Sequence, residues 1–346
     1  MRYPKHLKTG DTIGLVAPAF GCTESPYLDC LKSAEDRFIK RGYNISEGPN
    51  VHKADGIGIS SSPENCGKEL TDYYCSQDNQ VLISCGGGEM MCRSIEHVDF
   101  DRVRSAEPKW FMGYSDNTNF TFLLNTLCDV AAIYGPNVGA FGAQPMHQSV
   151  EDALQLLEGQ KYEFVGYDKF EMESLKSLET PLAPYNCTEE KKLVLYNGNQ
   201  EADIISGFNG RLAGGCLDCL ANLVGTRYDR VEEFNEKYGQ EGIVWFLEAC
   251  DLNPMSIQRA IWNLDMAGWF RCASGFIIGR PLAAWQQDMM GMNQYNAVVD
   301  ILGKYDVPIV MDADLGHRPP AIPIISGAYS NITVENNNIK VKFNLS

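Results

Sequence analysis

Three polar residues stand where apolar runs end: Ser115, Glu248 and His317. The stretch Lys109-Trp110-Phe111-Met112-Gly113-Tyr114-Ser115-Asp116-Asn117-Thr118-Asn119 reads as a short strand that stops at a glycine, presents a serine and opens a helix. Phe120, Leu123, Leu124 and Leu127 recur behind it at helical spacing. A serine at a sharp strand-to-helix turn projects its oxygen above the sheet edge, where the first helix amides can face a reacting carbonyl. A nucleophile would be placed there; a plain helix cap is the alternative. Ile243-Val244-Trp245-Phe246-Leu247-Glu248 is a buried-strand pattern ending in a carboxylate, and a buried charge is costly unless something pairs with it. His317 stands in Asp312-Ala313-Asp314-Leu315-Gly316-His317-Arg318-Pro319-Pro320, a loop that leaves the Val310 strand and is stiffened by two prolines. Its position suits acid/base work; a solvated surface histidine is the alternative. A metal site from Asp312, Asp314 and His317 would take three ligands from one short loop, which is poor geometry for a closed shell.

Gly86-Gly87-Gly88 directly follows the Val81-Leu82-Ile83-Ser84 run. The glycine spacing of a dinucleotide fingerprint is absent, and no lysine follows as in a P-loop. Close backbone approach, with amides aimed at a ligand oxygen, is the better use of these glycines, including half of an oxyanion hole beside Ser115. Cys216-Leu217-Asp218-Cys219 has redox or metal spacing but no second pair, and Leu220, Leu223 and Val224 mark a core helix around it. His6, His52, His97 and His147 suggest no partners.

These residues need a scaffold. From Thr12 to Tyr134, apolar runs alternate with amphipathic stretches, which argues a parallel sheet with helices on both faces and a ligand site at the strands' carboxyl ends. Residues 1–145 form an N-terminal domain. Residues 146–205 read as a linker with a surface excursion, polar and without periodicity from Glu171 to Asn199, apart from a helix around Val150–Leu157 and a strand around Tyr162–Val165. Residues 206–346 form a C-terminal domain. There Arg211-Leu212-Ala213-Gly214-Gly215 predicts a tight turn, Asn253-Pro254 opens a helix, and the last forty residues predict a small barrel-like sheet turning at Asn336-Asn337-Asn338. Two domains suit the 346 residues. A net charge of −16 without a basic cluster argues against nucleic acid and anionic membranes as partners. No run of apolar residues reaches membrane-spanning length, no secretion signal opens the chain, and twelve cysteines are too few for a disulfide scaffold; all three fit the cytoplasm.

Several segments together resemble one family, the serine peptidases that include the LD-carboxypeptidases of murein recycling and the microcin C immunity peptidases. They are Gly14-Leu15-Val16-Ala17-Pro18, Gly86-Gly87, Pro108-Lys109, Gly113-Tyr114-Ser115-Asp116 and Tyr134-Gly135-Pro136. Leu212-Ala213-Gly214-Gly215, Gly225-Thr226, Phe246-Leu247-Glu248 and Gly316-His317 follow in family order. The resemblance implies an α/β fold: a Rossmann-like parallel-sheet domain supplying the nucleophile, a C-terminal domain supplying acid and base, and an active site in the cleft between them. It implies Ser115 as nucleophile, His317 as general base, Glu248 as its orienting carboxylate, and the amides of Gly87 and Asp116 as the oxyanion hole. It also implies a homodimer without cofactor or metal. The chemistry agrees, since a serine hydroxyl is a weak nucleophile until an imidazole takes its proton, and the imidazole needs a partner to fix its tautomer. Asn117 stands where the α/β-hydrolase elbow has its second glycine, and Cys216 stands where relatives usually carry Asn.

The expected activity is therefore metal-independent serine carboxypeptidase or amidase chemistry through an acyl-enzyme. Candidate substrates are murein peptides ending in D-alanine or, alternatively, peptide–nucleotide and aminoacyl-sulfamoyl adenylate conjugates. Gly86 contributes backbone to the substrate site. A terminal carboxylate calls for an arginine fork, and Arg259 and Arg318 lie nearest in sequence to Glu248 and His317. Ion pairs with Asp265 or Asp314 are the alternative use of those arginines. A non-catalytic two-domain ligand-binding protein would share the architecture without needing the three residues to converge.

Overall fold

The computed structural model describes residues 1–345, which divide into two compact units. Unit 1 comprises Met1–Lys161, Glu173–Asn186 and Pro323–Ile325; unit 2 comprises Tyr162–Met172, Cys187–Ile322 and the chain from Ser326.

Unit 1 is built on β1 (Thr12–Val16), β2 (Asn44–Glu47), β3 (Val81–Ser84), β4 (Trp110–Gly113) and β5 (Ala132–Tyr134). They pair in parallel in the order β2-β1-β3-β4-β5, with the late strand Ile324–Ser326 beyond β5. β3 and β4 are buried along their whole length, and that is why they read as unbroken apolar runs. The helices are α1 (Tyr27–Lys40), α2 (Pro63–Cys75), α3 (Met91–Ser94), α4 (Phe100–Ser105), α5 (Thr118–Thr126) and α6 (Gln148–Leu157). Ser62 caps α2 by accepting from the Asn65 amide, with Pro63 at the first helical position. Phe111 and Phe120 meet edge to face at 4.9 Å, and with Leu82, Leu70 and Leu124 they bind sheet and helices into one core. The strand order reverses direction between β1 and β3, so a crevice opens at the carboxyl ends of those strands. The glycine run leaves β3 at that edge and Ser115 leaves β4.

Unit 2 contains β6 (Glu163–Val165), β7 (Lys169–Glu171), β8 (Cys187–Glu190), β9 (Val194–Asn197), β10 (Gln200–Ala202), β11 (Phe208–Cys216), β12 (Ile243–Glu248), β13 (Ala273–Gly279) and β14 (Pro308–Ala313). With the Ile324–Ser326 strand numbered β15, β16 (Tyr329–Glu335) and β17 (Asn338–Asn344) follow. Nine of them form one sheet, β10-β9-β14-β13-β12-β11-β16-β17-β6, while β7 and β8 pair separately. β11 to β14 are parallel, and the strands flanking them are antiparallel. α7 (Leu217–Leu223), α8 (Val231–Tyr238), α9 (Pro254–Met266) and α10 (Asn296–Leu302) complete the unit. The expected final hairpin is present, with Asn336 and Asn337 both at positive φ, 50° and 59°, as a two-residue turn requires. It extends the long sheet.

Two expectations are corrected here. Residues 211–215 continue β11 instead of turning, because Gly214 lets the strand pass against β12 where a β-carbon would collide with the Phe246 carbonyl. The polar stretch 171–199 is not structureless: β8 and β9 lie in it, and β9 turns through Gly198, at φ 58°, into β10. Among the described residues no helix is long and apolar enough to cross a membrane.

Candidate active site

In unit 1 the chain leaves β4 and places Ser115 at φ 66°. A side-chain-bearing residue in that region costs on the order of 1–3 kcal/mol and persists only where its surroundings fix it. Here the Ser115 amide donates to the Tyr134 hydroxyl at 3.1 Å, from the end of β5. Asn117 Nδ2 donates to the carbonyls of Gly86 and Tyr114 at 2.9 and 3.1 Å and to Asn137 Oδ1 at 3.2 Å. Asn117 therefore ties the elbow to the glycine run, which explains an amide where a hydrolase elbow has glycine. Tyr114 and Asn117 hold the cap positions of the short 3-10 turn and of α5, so Ser115 is the cap of neither.

Gly87 packs on the serine. A β-carbon at Gly87 would lie 2.8 Å from Ser115 Cβ, 2.9 Å from its Oγ and 3.7 Å from the Asp116 amide nitrogen. Hydroxyl, glycine backbone and Asp116 amide thus share one corner. The Asp116 side chain is spent elsewhere, accepting from the Met91 amide and Asn119 Nδ2, both at 2.8 Å. Gly86, Gly87 and Gly88 line a cavity of about 350 Å³ whose other walls include Phe20, Tyr27, Lys176 and Tyr185.

In unit 2 the four parallel strands end level with one another. Cys216 on β11 pairs in register with Glu248 on β12, and Gly279 on β13 with Ala313 on β14. Glu248 is buried, and its Oε2 lies 2.7 Å from His317 Nδ1, while the imidazole keeps 11% of its surface exposed. That contact answers the cost of a carboxylate at a buried strand end. Two glycines enclose the pair: a β-carbon at Gly316, where φ is 90°, would lie 2.5 Å from Glu248 Oε2, and one at Gly279 would lie 2.9 Å from Glu248 Cβ. With Nδ1–H given to the carboxylate, Nε2 is the basic nitrogen of the ring.

Arg280 anchors the loop that carries His317. It donates to Asp314 Oδ1 at 2.8 Å, to the Asp312 carbonyl at 3.0 Å and to the Arg318 carbonyl at 3.3 Å, with its guanidinium 4.5 Å from the centre of the Phe170 ring. Asp314 also accepts from the Tyr167 amide at 2.7 Å and pairs with buried Lys191 at 3.5 Å. Arg280 and Tyr134 are the positioning residues the sequence does not reveal by role. An arginine closing the Phe276-Ile277-Ile278-Gly279 run carries the same signal as Glu248, a charge that must find a partner.

Several sequence candidates lie elsewhere. Arg318 is buried and gives its donors to the Pro281 and Leu282 carbonyls at 3.0 and 2.9 Å and to Met172 Sδ at 3.1 Å. It pairs with no local acid, because Asp314 belongs to Arg280 and Lys191. Arg259 donates to Ser256 Oγ at 2.8 Å on the exposed side of α9, and Asp265 instead holds Lys304 and Tyr305. Asp312 accepts from Gln294 and Tyr295, and Asp312 and Asp314 do not gather round His317. The other histidines do have partners: His147 Nδ1 caps α6 by accepting from the Ser149 amide, His52 bonds Glu47, His97 lies 3.6 Å from Glu64 and His6 stacks on Trp110. The donor atoms of Cys216, Glu248 and His317 do gather, all lying within 4.8 Å of one another. A hydrogen bond from its own S–H to Cys219, and burial, push the Cys216 thiol well above its ordinary range.

Both domain models of the LD-carboxypeptidase family match, the N-terminal one over residues 13–135 and the C-terminal one over 209–332. The chain belongs to the LD-carboxypeptidase family, and it has the fold and the family assignment of a peptidase. It is 23% identical to the microcin C7 self-immunity protein MccF of Escherichia coli, over 97% of this chain and 94% of that one. It is equally 23% identical to the Bacillus subtilis protein named probable murein peptide carboxypeptidase, over 94% and 89% of the two chains. The structure of MccF in complex with glutamyl sulfamoyl guanosine superposes with a TM-score of 0.80 at 19% identity, covering 98% of each chain.

Proposed function

We propose that the protein is a metal-independent serine carboxypeptidase acting through an acyl-enzyme on Ser115, with His317 as general base, Glu248 as its orienting carboxylate, and the amides of Gly87 and Asp116 as the oxyanion hole. The observation that carries the reading is Ser115 itself, held at positive φ on a strand-to-helix elbow with Gly87 packed on its hydroxyl. His317 takes the hydroxyl proton as Ser115 Oγ bonds to the scissile carbonyl carbon, whose oxygen becomes the oxyanion. The C–N bond breaks, the amine leaves with that proton, and an ester remains. Water then gives a proton to His317 and displaces the serine, which recovers its own. The substrate we favour is a murein peptide ending in D-alanine, cleaved at its L,D bond. Twelve free cysteines support a reducing, cytoplasmic setting, and a homodimer is the assembly the family resemblance implies.

A second substrate reading has its own support. The cavity beside Gly86 is walled by Phe20, Tyr27, Tyr114 and Tyr185, faces suited to a flat base, so an aminoacyl-sulfamoyl adenylate, similar to the aspartyl sulfamoyl adenosine in complex with MccF, is the alternative. Turnover of a murein tetrapeptide beside an aminoacyl-sulfamoyl adenylate tests both. Release of D-alanine alone supports the first, release of the amino acid from the conjugate alone supports the second, and turnover of neither removes the peptidase reading.

A further inference from the structure

We infer that Cys216, Glu248 and His317 form a chelating site for a thiophilic divalent cation of the zinc class, with three protein ligands and an open fourth position. Their donor atoms lie within 4.8 Å of one another, in the one group of this kind among the described residues. Thiolate, carboxylate and imidazole are the three ligand types that zinc takes from proteins. A tetrahedral ion with bonds of about 2.0–2.3 Å holds its donors about 3.5 Å apart, so the shell forms when the donors now up to 4.8 Å apart draw in by roughly an ångström and the 2.7 Å Glu248–His317 hydrogen bond opens to admit the ion.

The platform is rigid where a chelate needs rigidity. Cys216 and Glu248 face each other in register at the ends of β11 and β12, so the sheet fixes their separation. The loop carrying His317 is pinned by Arg280 to Asp312 and Asp314. A second thiol borders the site, since burial raises the Cys250 thiol while neighbouring His317 lowers it, and the Cys250 amide is held by Asp218 Oδ2 at 3.0 Å. The imidazole retains some exposure, which gives an ion a way in. Hard cations such as magnesium, which want oxygen ligands, are disfavoured by the sulfur. Binding releases the thiol proton to solvent and occupies the imidazole, so the ion and a proton-accepting His317 exclude one another. That consequence, inhibition, rests on the role proposed above for His317; the site itself does not.

The test is a titration of the purified full chain with Co²⁺, followed by absorption and then displaced by Zn²⁺. The expected result is one ion per chain with a thiolate-to-cobalt charge-transfer band, lost in Cys216→Ser and retained in Cys272→Ser. His317→Ala should raise the Zn²⁺ dissociation constant at least about tenfold, since losing even a residue that only orients a ligand costs that much, and it carries the test if Cys216→Ser fails to fold. Absence of the band at saturating cobalt, or its survival in Cys216→Ser with unchanged affinity, overturns the inference. Turnover measured in the same titration separates the two proposals. If the band forms while turnover is unaffected, the chelate stands and His317 is not the base. If no band forms, the chelate fails and the assignment of the base is untouched.

Discussion

The corner around Ser115 and the corner around His317 occupy equivalent places, each at the carboxyl ends of parallel strands, yet they are built by different physics. The Ser115 corner is made of backbone. Its serine is held at positive φ by neutral hydrogen bonds, from the Ser115 amide to the Tyr134 hydroxyl and from Asn117 to the neighbouring carbonyls, and Gly87 packs where no side chain would fit. The His317 corner is made of buried charge. Glu248 holds His317, Arg280 and Lys191 share Asp314, and the glycines serve to close the shell round a carboxylate. A nucleophile must be placed in space, which steric fit does well. A base must be oriented and tuned, which calls for a charged partner. The two corners should therefore fail in different ways, the first to added atoms and the second to removed charges.

The largest effects should come from the reacting groups. Ser115→Ala should keep the fold, by circular dichroism and thermal melting, and lower kcat/KM on the order of 10⁴-fold or more. His317→Ala should cost about as much, because residues that act as a unit are not additive. A variant Ser115→Ala within about tenfold of wild type would remove the nucleophile assignment.

Next comes the steric contrast. Gly87→Ala adds one methyl group against Ser115 Oγ and should lower kcat on the order of 10²-fold, the scale of losing an oxyanion donor, with stability nearly unchanged. If kcat survives while the variant unfolds, the glycine serves the fold and not the site.

The electrostatic counterpart is Arg280→Met. It takes the close cation from buried Asp314 and the donor from the Asp312 carbonyl, and should cost about 3–5 kcal/mol of unfolding free energy by urea titration. A loss confined to kcat, with stability intact, would mean the loop does not depend on that charge.

The smallest expected effect concerns Glu69, which unit 1 buries and holds by backbone amides. Glu69 accepts from the Ala17 and Asn50 amides at 2.9 and 2.8 Å, and burial lifts its carboxyl from 4.5 to about 7. The folded state then holds a proton that the unfolded chain has already lost, so νN exceeds νU between those values and stability falls as pH rises. The contribution is complete below about 4.5 and gone above about 7, a difference of up to a few kcal/mol. Urea unfolding at pH 5 and pH 8 should show the drop, and Glu69→Gln should flatten it. An equal drop in the variant would assign it to another group.

How much of this is legible in the sequence follows the same division. Buried parallel strands announce themselves, so β1, β3, β4, β12 and β13 are visible as apolar runs, and the elbow at Ser115 and the carboxylate ending β12 are visible with them. What stays hidden depends on partners distant in the chain. Gly214 reads as a turn because nothing nearby shows that the Phe246 carbonyl fills the space of its side chain. β8 looks polar because it pairs only with β7, outside the long sheet, whereas β9 carries its own signal in Val194-Leu195-Tyr196 and in the Asn197-Gly198 hairpin turn, which the polar residues around it obscure. Asn117 reads as a helix opener until Gly86 appears beside it, thirty-one positions away. Arg318 looks like a substrate clamp only until the Pro281 and Leu282 carbonyls take its guanidinium.

The central claim, that Ser115 is a nucleophile activated by His317, is tested most directly by covalent labelling with a serine-directed fluorophosphonate, read by intact mass and peptide mapping. The expected result is one adduct per chain on the peptide containing Ser115, absent in Ser115→Ala and forming on the order of 10³-fold more slowly in His317→Ala. An adduct on another residue, or labelling of Ser115 at the same rate without His317, would contradict it.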